Sequence, residues 1–372
     1  MDPISTRVAM GAAGAAVGPA EDIIIGLGVS PYIYSYPISS AGFGVRYSNP
    51  ATLPPGMVNK IVVTPTKDAI LLAVDSSPFC VAYQYLAGTG FGTRYSNPST
   101  LPADASQCFD ISIHPNNNAV LLGNQPFAGT GSQIHAYQWN STTGFGTKYS
   151  NPSSFPTGNV SGVSFSPGGN DIAYSNGGAI GARAIDAYAW NSSTGFGTKY
   201  TNGTLNASGK ACRFHTSGNA VLQTNSGNTF SGSVIAISAF QAYRYTSGTG
   251  FGTLYSTPGG APTGNLSRDV AISPNGADVV FGYDLSPYIY CYPFNTSTGF
   301  GTKYADPTTL PTGIGFSVNF SSSGKLIAIG YNSSPYISVY NFNSGTGFGA
   351  KVNDPSQALT FGATSIAFCS SA

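Results

Sequence analysis

Charge is scarce in this chain of 372 residues. Asp, Glu, Lys and Arg make up 8% of it, against roughly 25% in typical soluble domains. With 15 basic and 14 acidic side chains the formal net charge is +1. No basic stripe exists to displace phosphate counterions, which argues against a nucleic-acid partner. No run of 18 apolar residues occurs, so no membrane-spanning helix is expected. Residues 1–20 are rich in Ala and Gly with Arg7 as the one basic residue, and they lack a continuous apolar stretch. A conventional signal peptide is therefore not expected there. We read the segment as an arm preceding a domain over 21–372.

Cysteine is sparse and unpaired in pattern. Cys80, Cys108, Cys212, Cys291 and Cys369 are odd in number and contain no CxxC spacing. Neither a disulfide framework nor a zinc site is indicated. Each sits in or beside an apolar run, where a free thiol behaves as a small hydrophobe.

What the chain does have is a repeat. Thr143-Gly144-Phe145-Gly146-Thr147-Lys148-Tyr149-Ser150-Asn151-Pro152 recurs with variations, its Phe returning at Phe43, Phe91, Phe145, Phe196, Phe251, Phe300 and Phe348. The steps of 48 to 55 residues mean one supersecondary unit copied in tandem, which cannot bury its apolar face alone. The second copy reads as four short strands: A (58–63), B (69–74), C (79–85) and D (91–95). These runs are rich in Val, Ile and Tyr and bounded by Gly, Pro, Asn and Ser. Strand B is apolar throughout, as expected when both faces are covered. No segment sustains a helical period, so helix should be nearly absent.

Strand D reads as the outer edge. Its basic residues Arg46, Arg94, Lys148, Lys199, Lys303 and Lys351, followed by proline in nearly every copy, are devices that blunt an edge against further pairing. A cationic interaction belt is the other reading of this ring.

The chain opens on a B strand at 22–26 and closes on an unpartnered A strand at 364–368. Seven D strands, with the first unit split between the ends, describe a closed ring. The expected fold is all-β: a seven-bladed β-propeller of four-stranded antiparallel blades, the first closed by the C-terminal strand. A degenerate first strand at 14–19 is the rival closure, with poorer β-propensity.

Ser-Pro-x-Gly turns between A and B (Ser166-Pro167-Gly168-Gly169, Ser273-Pro274-Asn275-Gly276) and an aromatic near the end of C resemble WD40-type propellers over residues 21–372. The chain departs from that family in lacking a Gly-His pair before A. Trp139-Asn140 and Trp190-Asn191 stand where Trp-Asp is found, which removes the Asp the family's hydrogen-bond network uses. The low-charge style is similar to propellers of bacteriophage and bacterial surface proteins.

No catalytic constellation is visible. His114 and His215 fall in A–B turns, and His135 falls on a strand face. Asp75, Asp186 and Asp284 lie in different blades and nothing in the sequence selects a pair for glycoside chemistry. One asymmetry stands out: the B–C links are long in the third, fourth and fifth blades. They contribute Phe127, Gln133, Asn176, Arg183, Asn225 and Phe230 as candidate binding residues for a glycan or a protein. Loops tolerate insertions as readily as they carry function, so drift is an equal reading. The expectation is a non-enzymatic structural or attachment protein of a bacteriophage virion, without cofactor or metal, whose partners are other structural proteins and surface glycan. A secreted carbohydrate-binding or glycan-cleaving propeller is the alternative.

Overall fold

The computed structural model describes residues 21–102, 105–126, 133–156, 158–177, 185–201, 208–226, 229–230, 233–234, 238–262 and 266–371. They form seven four-stranded antiparallel sheets, each ordered A-B-C-D, and no helix among the described residues. In the second blade the strands are Val58–Val63, Ala69–Val74, Cys80–Leu86 and Gly90–Arg94. The first blade joins Glu21–Leu27, Ile33–Ser39 and Gly42–Phe43 to the C-terminal strand Ala363–Ser370. Each A strand touches the A strand on either side of it, so the ring is closed as the repeat count predicts.

The core lies between blades. Ile24, Ile33, Ala367 and Cys369 of the first blade pack with Ile61, Ile70, Leu72 and Val81 of the second. Strand B is buried along its whole length, as in Ala69–Val74 and Leu326–Tyr331. Fully burying a side chain of this size contributes roughly 1.5–3 kcal/mol, and neighbouring blades supply the cover that one blade lacks.

The repeat motif is the fastening between blades. The first Gly of each Gly-Phe-Gly has a positive φ, as at Gly144 (87°) and Gly195 (88°). In six of the seven copies the motif Tyr of the preceding blade lies against its bare Cα. A Cβ on Gly144 would come within 3.0 Å of the Tyr95 ring, and one on Gly195 within 3.1 Å of Tyr149. The Tyr149 hydroxyl then donates to the Ser192 carbonyl of the next blade at 2.6 Å. The motif Phe packs edge-on against the strand C aromatic, with Phe145–Trp139 centroids at 5.1 Å and Phe196–Trp190 at 5.3 Å. Such pairs contribute about 0.5–1.5 kcal/mol beyond burial. Where the family pattern has Asp, Asn140 and Asn191 cap the C–D turn, accepting from the Thr142 and Ser193 amides at 2.8 Å.

Two D strands are shorter than expected, Gly42–Phe43 and Gly299–Phe300. In these blades strand C carries Pro37 or Pro293, which offers no N–H to its neighbour. The proline carbonyl still accepts from the Gly44 or Gly301 amide (2.8 and 2.9 Å), and the Tyr47 or Tyr304 amide donates to the Ser35 or Cys291 carbonyl (2.9 and 3.0 Å).

Candidate functional site

The inner strands bring charge to the middle of an apolar ring. Four residues before the first residue of the A–B turn stand Lys60, Asp110, Gly162, Ala211, Asp269 and Ser317, with Ser365 the equivalent in the first blade. Most of this tier ties blades together. Asp110 Oδ2 accepts from the Val163 amide (2.8 Å), Asp269 Oδ2 from Val318 (3.3 Å), Ser317 Oγ from Ile366 (3.1 Å) and Ser365 Oγ from Ile61 (2.9 Å).

The two aspartates also meet cations across the channel. Lys60 Nζ lies 2.6 Å from Asp269, a pair spanning the second and sixth blades. Arg213, two residues further along its strand, grips both oxygens of Asp110 at 2.7 and 3.2 Å and approaches Asp269 at 3.7 Å. Burial pushes the Asp269 carboxyl up, but Lys60 and Arg213 together outweigh it and hold the group below the usual carboxylate range. Two cations and two carboxylates make a neutral crosspiece. It divides the channel into a well of about 330 Å³ toward the A–B turns and a smaller space of about 60 Å³ toward the B–C links.

One residue nearer the B–C face is a half-buried ring of Asn59, Phe109, Ser161, Lys210, Arg268, Phe316 and Thr364. Antiparallel pairing places the start of each A strand beside the end of B, so this mouth opens among the B–C and D–A links. Arg268 pairs with Asp284 through Nε–Oδ1 (2.6 Å) and a second nitrogen (3.1 Å), and its guanidinium lies 5.0 Å from the Phe316 ring centre. Lys210 forms no ion pair among the described residues. Burial, then the like charge of Arg268, lower its proton affinity, against a weaker pull from Asp284. A lysine so placed gives up its proton at lower pH than a surface lysine. Two cations against one carboxylate, with the Phe316 ring beside Arg268, suit a small polar molecule with developing negative charge.

The residues expected from sequence fall elsewhere. Gln133, Asn176 and Asn225 are buried at the roots of the long links (5%, 3% and 1% exposed). Asn225 donates to the Ser238 carbonyl and the Gln241 side chain, at 3.2 and 3.0 Å. Phe127 and Arg183 lie outside the described residues, as does the Phe230 side chain. Of the rim cations, Arg94, Lys148, Lys303 and Lys351 each reach the Asn or Asp three residues on, at 2.5–2.8 Å. Lys199 pairs with Asp186 at 3.2 Å, and Arg46 lies 4.1 Å over the Tyr34 ring. His114 and His215 bridge turns, their Nε2 atoms 3.0 and 2.7 Å from the Gly169 and Gly276 carbonyl oxygens, and His135 is buried. All five thiols are free and buried. Among the described residues no cluster of three potential metal ligands occurs.

The channel residues form no sequence motif because they are spread over four blades. A signal was present: the repeat's inner strand is otherwise uncharged, and Lys60, Asp110, Lys210, Arg213, Arg268 and Asp269 interrupt it.

No family model matches the chain, and no curated protein matches its sequence. Solved structures match along nearly its whole length. A protein assigned as a 6-phosphogluconolactonase from Bacteroides uniformis is 17% identical, covering 94% of this chain and 99% of that one at a TM-score of 0.68. Another with the same assignment, from Bacteroides fragilis, is 12% identical over 95% and 99% at 0.70. The periplasmic gluconolactonase of Pseudomonas aeruginosa is 11% identical over 95% and 100% at 0.68. At these identities the likeness establishes the fold.

It also corrects the expectation of a non-enzymatic structural or attachment protein of a virion: these three propellers are described as lactonases. That expectation rested partly on the lack of a local catalytic motif. In a ring, chemistry is assembled from residues about one blade apart, and no short motif records it.

Proposed function

We propose that this chain is a hydrolase that opens a sugar lactone, with the reaction at the B–C mouth of the central channel. The observation that carries the reading is Lys210, a half-buried lysine of lowered proton affinity beside the Arg268–Asp284 pair. Likeness to two propellers described as 6-phosphogluconolactonases and to a periplasmic gluconolactonase supports the choice of substrate. The Ser-Pro-x-Gly turns support kinship of the scaffold with WD40-type repeats.

In this reading Lys210 Nζ, as the neutral amine, takes a proton from water while the water oxygen bonds to the lactone carbonyl carbon. Arg268, aimed by Asp284, stabilises the negative charge that develops on the carbonyl oxygen. The ring C–O bond then breaks, and the Lys210 ammonium returns the proton to the departing alkoxide. One water is consumed and a hydroxy acid is released. Phe109 and Phe316 supply flat apolar walls for the ring.

The test is acid release from gluconolactone and its 6-phosphate, measured above spontaneous opening. Turnover should rise with pH as Lys210 loses its proton. Lys210→Ala and Arg268→Ala should each lower kcat/KM about 100-fold. No turnover above background, or full activity in both variants, overturns the proposal.

A further inference from the structure

The channel crosspiece has two faces, and they are not alike. Lys60 and Arg213 line both channel spaces, whereas Asp110 and Asp269 line the small space toward the B–C links and not the well toward the A–B turns. Among the described residues no acid lines the well. A guest in the well therefore meets the two cations first, with the carboxylates behind them. Attraction falls with distance, so the nearer charges decide the sign although the four sum to zero.

Donors remain unused on that side. Lys60 Nζ bonds to Asp269 Oδ2 and to no other acceptor among the described residues, which leaves N–H groups of the ammonium over. Arg213 spends its terminal nitrogens on Asp110 and on the Val163 and Cys212 carbonyls, and its Nε has no acceptor among the described residues. Burial works against the Arg213 charge, but Asp110 and Asp269 outweigh it, so the guanidinium stays protonated.

Above this floor the walls are apolar. Val62, Phe214, Ile272 and Phe368 line the well, and Ala271 and Ala367 are small enough to leave it open. Thr216, exposed in the A–B turn of the fifth blade, lines it too and places its mouth at solvent. The volume of about 330 Å³ lies at the small end of ligand pockets, which span about 300–1,000 Å³. A polyhydroxyl acid, the product of the reaction proposed above, would find few partners on such walls. An anion with an apolar body finds both a charge to pair with and a surface to cover it.

We propose that the A–B half of the channel binds a small apolar monocarboxylate, its carboxylate on Lys60 and Arg213 and its body among Val62, Ile272 and Phe368. The site lies across the crosspiece from the lactone mouth and does not depend on the lactonase reading.

Titration calorimetry of the full chain with benzoate, and with benzamide as its neutral counterpart, tests this. Benzoate should bind at least about tenfold more tightly than benzamide, and Lys60→Met should remove that preference. Ala271→Leu and Ala367→Leu, which fill the well, should each weaken benzoate about tenfold with circular dichroism unchanged. Arg268→Ala, at the other mouth, should leave benzoate binding as it is. On the unaltered chain, nuclear Overhauser contacts should join the benzoate ring to methyl groups of Val62 and Ile272. Absence of benzoate binding, or equal binding of benzoate and benzamide, overturns the proposal. So does benzoate binding that survives both filling variants, or its loss in Arg268→Ala, which would place the anion at the B–C mouth.

Discussion

Replacing Arg213 with methionine tests the channel crosspiece. The substitution keeps length and apolar stem but deletes the group that holds both Asp110 oxygens and approaches Asp269. Asp110 would keep its bonds from the Ile111 and Val163 amides (3.0 and 2.8 Å), and Asp269 would keep Lys60. Leaving a buried charge without its partner costs about 3–5 kcal/mol. With the Arg213 side chain 20% exposed and those amide bonds retained, a loss of about 3 kcal/mol is expected. Urea unfolding followed by the buried Trp139 and Trp190 measures it by linear extrapolation.

Asp110→Asn combined with Arg213→Met should cost less than the sum of the two changes, since the pair acts as a unit. The acid limb gives an independent check. The Asp269 carboxyl is depressed in the folded state, with Lys60 and Arg213 outweighing burial. Its contribution is therefore present above the unfolded value of about 3.9 and lost as pH falls through the lower folded value. Removing Arg213 raises that folded value, so acid unfolding should begin at higher pH. A loss under about 1 kcal/mol, or strict additivity in the double variant, would refute a coupled crosspiece.

Three further outcomes are expected. Tyr149→Val removes the ring over Gly195 and the bond to Ser192, and should destabilise by about 2–4 kcal/mol in the same unfolding assay. The thiols should be silent to a thiol reagent in the native protein and all five reactive after unfolding. Each is buried, and burial pushes Cys212 up to about 12. Lys303→Met and Lys351→Met should each change stability by less than about 1 kcal/mol, because these pairs are partly exposed. If the rim cations instead guard the edge, the two substitutions together should raise self-association in sedimentation without lowering stability.

The sequence by itself determined the architecture. A motif returning every 48 to 55 residues, strands bounded by Gly and Pro, and an orphan inner strand at the C-terminus specify seven blades and their closure. These are local signals, repeated until chance is removed. The sequence also placed the D strand at the rim, but it gave no reason for the Gly and Tyr at the two ends of the motif. That reason is a contact between one blade's Tyr95 and the next blade's Gly144, visible once adjacent copies are set side by side.

The candidate site depended on tertiary structure entirely. Lys60 and Asp269 are 209 residues apart, and Asp110 and Arg213 are 103 apart. Spacing along the chain says nothing about a meeting across a channel. The inserted links drew attention because they differ in length, which sequence records. Lys210, Arg268 and Asp284 stand in strands and links of ordinary length, and their consequence depends on burial and on one another. Ring closure converts a blade number into an angle around the axis, and that angle decides which charges face each other.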